Sequence, residues 1–137
     1  MKMEDVKQVL KKHDIQPTNQ RVIILNYLMN NYDHPSCDKI YDELSAIYPI
    51  MNRATIYNSL NLFVEKGILS PIYLNDKCRY EIKKPGHGHF ICQECQKITD
   101  FSVNLNNSYS LDGYEVLDTD ITFRGICPLC LEKKKEE

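Results

Sequence analysis

Apolar side chains recur every three to four positions through the first half of the chain and give way to short β-prone runs near residue 68. Residues 3–13, with Met3, Val6, Val9 and Leu10 apolar, predict a short amphipathic helix that Asp14 to Pro17 ends. Thr18 caps a second helix whose stripe is Val22, Ile23, Leu25, Tyr27, Leu28 and Met29. Ser36 caps a third, with Ile40, Tyr41, Leu44 and Ile47 turned inward. Asn52 caps a fourth, with Ala54, Ile56, Tyr57, Leu60, Leu62, Phe63 and Val64 apolar and Gly67 as its terminator. Then the period changes to that of strands. Residues 68–74 and 78–82 form a hairpin around Asn75-Asp76-Lys77. Three helices and a hairpin in this order predict a winged helix-turn-helix.

Past a hinge at residues 83–86 the pattern is sparser. Residues 90–101 predict a strand interrupted by a turn, 102–111 one or two helical turns, 114–126 another strand, and 131–137 a solvated charged tail. The fold class is therefore α+β: a winged helix-turn-helix over residues 1–84, followed by a small α/β domain over residues 85–137. A sheet this small leaves edges and an apolar face bare, which a second copy covers, so a homodimer through residues 86–130 is expected.

Composition narrows the class. The apolar fraction of 42% suits a globular chain. No run approaches the roughly 18 apolar residues of a membrane helix, and the N-terminus has no apolar signal region. A cytoplasmic protein without membrane contact is expected. Residues 1–85 carry 12 Lys+Arg against 10 Asp+Glu, net +2, and residues 86–137 carry 5 against 9, net −4. The split in sign suits two tasks, and the positive half can bind nucleic acid if its charges share a face.

The candidate chemistry sits in the second half. Cys92-x-x-Cys95 and Cys127-x-x-Cys130, with 31 residues between the pairs, have the spacing of two metal knuckles. In a reducing compartment, paired cysteines at this spacing favour zinc over two disulfides. His87 and His89 alternate just before the first knuckle, so on a strand they share one side.

The runs Pro17-Thr18-x-x-Arg21, His34-Pro35-Ser36, Ala54-Thr55-Ile56-Tyr57-Asn58, Arg79-Tyr80-Glu81, His87-x-His89-Phe90-x-Cys92-x-x-Cys95 and Gly125-Ile126-Cys127-x-x-Cys130 resemble the ferric uptake regulator family along nearly the whole chain. The resemblance implies a dimeric, metal-activated transcriptional repressor of operator DNA and not an enzyme, with residues 1–84 as its winged-helix DNA-binding domain and residues 85–137 as its dimerisation and metal-binding domain with a structural zinc. It implies Zn2+ at Cys92, Cys95, Cys127 and Cys130, and a regulatory ion at His34, Glu81, His87, His89 and Asp100. Three imidazoles and two carboxylates suit Fe2+ or Mn2+ better than a thiolate-rich set does. Glu81 with Asp100 is a hybrid of the family's patterns, and the aspartate goes with its peroxide-responsive branch, where iron-catalysed oxidation of His34 or His87 would release DNA. Iron-uptake control is the alternative; a zinc hydrolase built on His87 and His89, or a zinc-ribbon interaction module, are more distant ones. Gln96 replaces the glycine usual after the second cysteine, which demands an uncommon backbone angle there.

DNA readout is expected from Asn52, Arg53, Thr55, Tyr57 and Asn58 around the fourth helix, where Arg and Asn suit base edges and Thr and Tyr suit thymine methyls, with Arg21, Lys11, Lys12, Lys77 and Arg79 on phosphate. Tyr57 packed in the core and Arg53 as a solvated helix residue are the plain alternatives. Cys37 and Cys78 are unpaired in this scheme and receive no role.

Overall fold

The computed structural model describes residues 3–74, 77–84, 87–102, 110–117 and 119–136. The chain divides into two compact units, Met1–Lys83 and Lys84–Glu137, one residue earlier than the expected boundary.

In the first unit, four helices precede a hairpin: α1 Met3–Lys12, α2 Asn19–Met29, α3 Cys37–Ile47, α4 Arg53–Glu65, then β1 Leu69–Leu74 and β2 Lys77–Ile82. Each of the last three helices starts where a capping side chain can accept a backbone N–H. Thr18 accepts from Arg21, Ser36 from Lys39 and Asn52 from Thr55, each such cap being worth about 1 kcal/mol. Helix ends are equally local. Gly67, at φ 84°, follows α4. Its N–H donates to Val64, and Ile68 donates to Phe63 at 2.9 Å, the paired bonds of a Schellman cap. Asp14, at φ 60°, ends α1 in the same way, with Ile15 donating back to Leu10 at 2.9 Å.

One core unites these elements. Val6 and Leu10 of α1, Ile24, Leu25 and Leu28 of α2, Ile40 of α3, and Ile56, Leu60 and Phe63 of α4 are nearly or fully inaccessible to water. Burying each such side chain contributes about 1.5–3 kcal/mol. The predicted stripes need three corrections. Ile24 is buried, whereas Ile23 only packs at the margin. Ile47 is exposed, because it ends α3 beyond the reach of α4. Ala54 and Tyr57 lie on the exposed face of α4. The hairpin pairs antiparallel from Leu69↔Ile82 to Leu74↔Lys77; residues 75 and 76 of its turn lie outside the described residues. Its free side meets the loop before α3 through a single antiparallel bridge, Ser36↔Arg79, with Tyr80 N–H donating to Pro35 at 3.0 Å.

The second unit is a three-stranded sheet and a helix: β3 His87–Cys92, β4 Ile98–Ser102, β5 Thr122–Gly125 and α5 Pro128–Lys135. Strand β3 is central, antiparallel to β4 and parallel to β5. Two expectations fail here. Only Thr122–Gly125 of the predicted 114–126 strand is strand; residues 114–117 are irregular. The tail is not merely solvated chain: Pro128 at the start of α5 and three lysines in its last turn favour a helix. The helical turns expected at 102–111 fall mostly on residues 103–109, and the hinge includes residues 85 and 86, all outside the described residues.

Gly88 has a packing reason for being glycine. A Cβ there would meet the Phe101 ring at 2.8 Å and the Ile121 carbonyl at 3.0 Å. Its absence lets Phe101 lie across the strand and stack on Phe123 at 5.5 Å between ring centroids.

Candidate metal centres and nucleic-acid interface

The two cysteine pairs converge. The first knuckle is the turn between β3 and β4, held by the N–H groups of Cys92 and Gln96 donating to the Lys97 and Cys92 carbonyls, both at 3.0 Å. Gln96 adopts φ 65°, the left-handed angle that its replacement of glycine demands. The second knuckle is the start of α5, with Cys127 at the N-cap and no side-chain cap bond. The four sulfurs lie within 4.8 Å of one another, with Cys92–Cys130 and Cys95–Cys127 each at 3.8 Å. Four thiolates about 2.3 Å from a tetrahedral zinc stand roughly 3.8 Å apart, so the donors fit that ion; a disulfide would need sulfurs about 2.05 Å apart.

The protonation pattern agrees. The backbone N–H of Cys95 and then that of Cys127 donate to the Cys92 sulfur at 3.5 and 3.4 Å and hold its pKa down at about 6. Cys130 is pushed up to about 12 by its hydrogen bond with Cys127 and by burial. Four crowded sulfurs cannot all ionise beside one another without a cation to offset the repulsion.

The oxygen and nitrogen donors are assembled within each unit separately. In the first, His34 and Glu81 are both nearly buried and meet at 3.1 Å. His34 takes φ 54°, and the Ser36↔Arg79 bridge just beyond it brings the loop against β2. In the second, His87 and His89 share a face of β3 with rings edge-to-face at 4.9 Å. Strand register sets Asp100 directly across from His89, with Nε2 3.5 Å from the carboxylate. His87 Nδ1 is 2.7 Å from the Lys84 carbonyl, a bond that makes Nδ1 the donor and puts the ring's lone pair on Nε2. Neither pair is visible in the sequence as a pair. His34 and Glu81 stand 47 residues apart and are joined by an isolated bridge from the loop before α3 to β2; His89 and Asp100 face each other only because the knuckle reverses the chain between Ile91 and Ile98.

The expected DNA-contacting residues of α2 and α4 separate into two groups. Arg21, Thr55 and Asn58 line one surface cleft of about 280 Å³ with Thr18, Gln20, Ser59 and Leu62. Arg53 and Tyr57 stand one turn apart on another face. Tyr57 is 54% exposed, so the core reading of it is wrong. Arg53 is not simply solvated. It pairs with Asp38 and lies 4.4 Å over the Tyr41 ring, which aims its guanidinium from α3. Asn52 spends its carbonyl oxygen on Thr55 N–H, which makes it a cap first. Sequence reasoning missed Asp38, Tyr41 and Gln20; a carboxylate at the start of α3 was the available signal for the first.

The ferric uptake regulator family model matches residues 12–122. The chain belongs to the ferric uptake regulator family. Among family members, it is 35% identical over 130 residues to the peroxide-responsive repressor PerR of Staphylococcus aureus strain Mu50, covering 90% of this chain and 88% of that one. Among solved structures it resembles PerR from Streptococcus pyogenes, at 32% identity and TM-score 0.53, covering 93% and 92% of the two chains. It also resembles the Francisella tularensis ferric uptake regulator solved with iron, at 29% identity and TM-score 0.68, covering 85% and 95%. The Helicobacter pylori regulator Fur shares the fold at TM-score 0.73 and 20% identity, covering 96% and 95%. No described helix is long and apolar enough to cross a membrane.

Proposed function

We propose that the protein is a metal-dependent transcriptional repressor that binds operator DNA as a homodimer and senses peroxide through a regulatory Fe2+ or Mn2+ ion. The observation that carries this reading is the pair of preassembled half-sites, His34 with Glu81 in the first unit and His89 with Asp100 in the second. With His87 they supply three imidazoles and two carboxylates, a borderline-to-hard set suited to Fe2+ or Mn2+. An ion shared by both half-sites acts only when the units fold toward each other, so its binding free energy biases the angle between them. In a dimer that angle sets the separation of the two α4 helices, which must match the spacing of the operator half-sites. Zn2+ at Cys92, Cys95, Cys127 and Cys130 holds the second unit's fold.

Dimerisation is supported by Tyr114, Val116, Leu117 and Phe123, all more than half exposed in the second unit, beside outer strands that in one copy lack a further partner among the described strands. DNA binding is supported by the cleft that gathers Arg21, Thr55 and Asn58 and by the exposed Tyr57. The protein acts where its DNA is, in the cytoplasm, as a regulator and not an enzyme. A gel shift on promoter DNA tests the switch: retardation is expected with Mn2+ and not without it, and His89→Ala is expected to abolish the difference while leaving a folded dimer. Equal retardation in both lanes, or none, overturns the reading.

Bound Fe2+ supplies the redox chemistry that peroxide sensing needs; the chain supplies the imidazoles that are oxidised. After iron and peroxide, mass spectrometry is expected to find one added oxygen on the peptide holding His34 or His87, with loss of DNA binding. Intact histidines with DNA binding retained favour the second reading, control of iron uptake, which Glu81 in place of a second aspartate supports.

A further inference from the structure

The pairing that holds His34 against Glu81 also aligns two cysteines that neither metal centre uses. Ser36 bridges Arg79 in the antiparallel sense, Tyr80 donates to Pro35, and His34 meets Glu81. In an antiparallel pair each step forward on one segment is a step back on the other. One step beyond the bridge, the same register carries Cys37, the first residue of α3, toward Cys78 of β2. Facing residues in such a pairing have Cα atoms about 4.5–5.5 Å apart, inside the roughly 4.4–6.8 Å that a disulfide spans. Both thiols are free and half-buried, and both pack on the first unit's core. Their proximity has an electrostatic trace: Cys78 opposes ionisation of Cys37, and both oppose ionisation of Tyr80.

We propose that Cys37 and Cys78 are a redox-active dithiol that a hydroperoxide converts to an intramolecular disulfide, fastening the first turn of α3 to β2. One thiolate attacks a peroxide oxygen, giving a sulfenic acid and releasing water after proton transfer. The second sulfur displaces hydroxide from the sulfenic acid, which leaves as a second water. Two thiols lose two electrons and two protons, and hydrogen peroxide takes up both. The step needs no ion at the histidines, so it is separate from the metal-dependent reading above. Burial keeps both thiols protonated, and thiols react as thiolates, so the bond forms slowly and records sustained rather than brief oxidation. Once made, it locks the loop that carries His34 against the strand that carries Glu81.

The test uses the full chain loaded with zinc and free of iron. It is treated with hydrogen peroxide, alkylated, digested without reductant and analysed by mass spectrometry, with zinc content measured in parallel. The expected product is a reducible pair of peptides joined through Cys37 and Cys78, two hydrogens lighter, with zinc retained. It is absent from Cys37→Ser and from Cys78→Ser. Full alkylation of both residues at peroxide doses that begin to release zinc overturns the proposal, as does joining of either to Cys92, Cys95, Cys127 or Cys130. Equal yield from protein held unfolded in guanidinium also overturns it, since chance encounter would then set the pairing. Should a serine variant fail to fold, the wild-type and guanidinium arms decide alone.

Discussion

The first unit buries Val6, Leu10, Ile24, Leu25, Ile40, Ile56, Leu60 and Phe63 around one centre, whereas the apolar side chains buried among the described residues of the second are Ile91 and Ile98, beside Cys92, Cys127 and Cys130. The contrast separates two ways of stabilising a small fold. One removes hydrocarbon from water and needs no ligand. The other gathers donors that repel one another until an ion binds, so its stability is the ion's binding free energy. A unit of 54 residues with so few buried apolar side chains belongs to the size range where metals, disulfides or oligomerisation supplement the core.

The largest break in that comparison is expected from Cys95→Ser or from chelation. Losing the zinc removes on the order of 10 kcal/mol from the second unit. Amide signals of β3, β4 and β5 are expected to collapse while the helical circular dichroism of the first unit persists. Retained sheet signals without zinc would show that the second unit has a sufficient core of its own. Phe63→Ala runs the comparison the other way: about 3–5 kcal/mol lost from the first unit, read as a lowered urea midpoint with zinc stoichiometry unchanged. A smaller effect, about 1–3 kcal/mol from overpacking, is expected of Gly88→Ala. The new methyl must push the Phe101 ring or the Ile121 carbonyl aside on the strand that carries both histidines, so weaker regulatory-metal binding in a titration is expected while the thiolate site stays filled. An unchanged metal isotherm would mean that the strand absorbs the methyl without moving His87 or His89.

The sequence made local features legible and long-range pairings opaque. Thr18, Ser36 and Asn52 signal helix starts because capping acts within three residues, and Gly67 signals an end for the same reason. The thiolate site was readable because each knuckle supplies two ligands at a fixed short spacing. The helix at 128–135 was missed because its polar, lysine-rich end lacks an apolar period, although Pro128 marked its start. Ile47 and Tyr57 show where periodicity misleads: both fit an apolar stripe, and each lies past the edge of what a neighbouring helix can cover. The partners of His34 and His89 depend on a bridge and a strand reversal, which periodicity does not encode; only resemblance to a family placed them in one ligand set.

The turn that carries Cys92 and Cys95 also closes the register that puts Asp100 opposite His89. If the proposed switch operates, zinc capture is expected to come before the second half-site takes its shape, so zinc scarcity is expected to blunt any response to iron or manganese. The supply of one element would set the ceiling on the response to another.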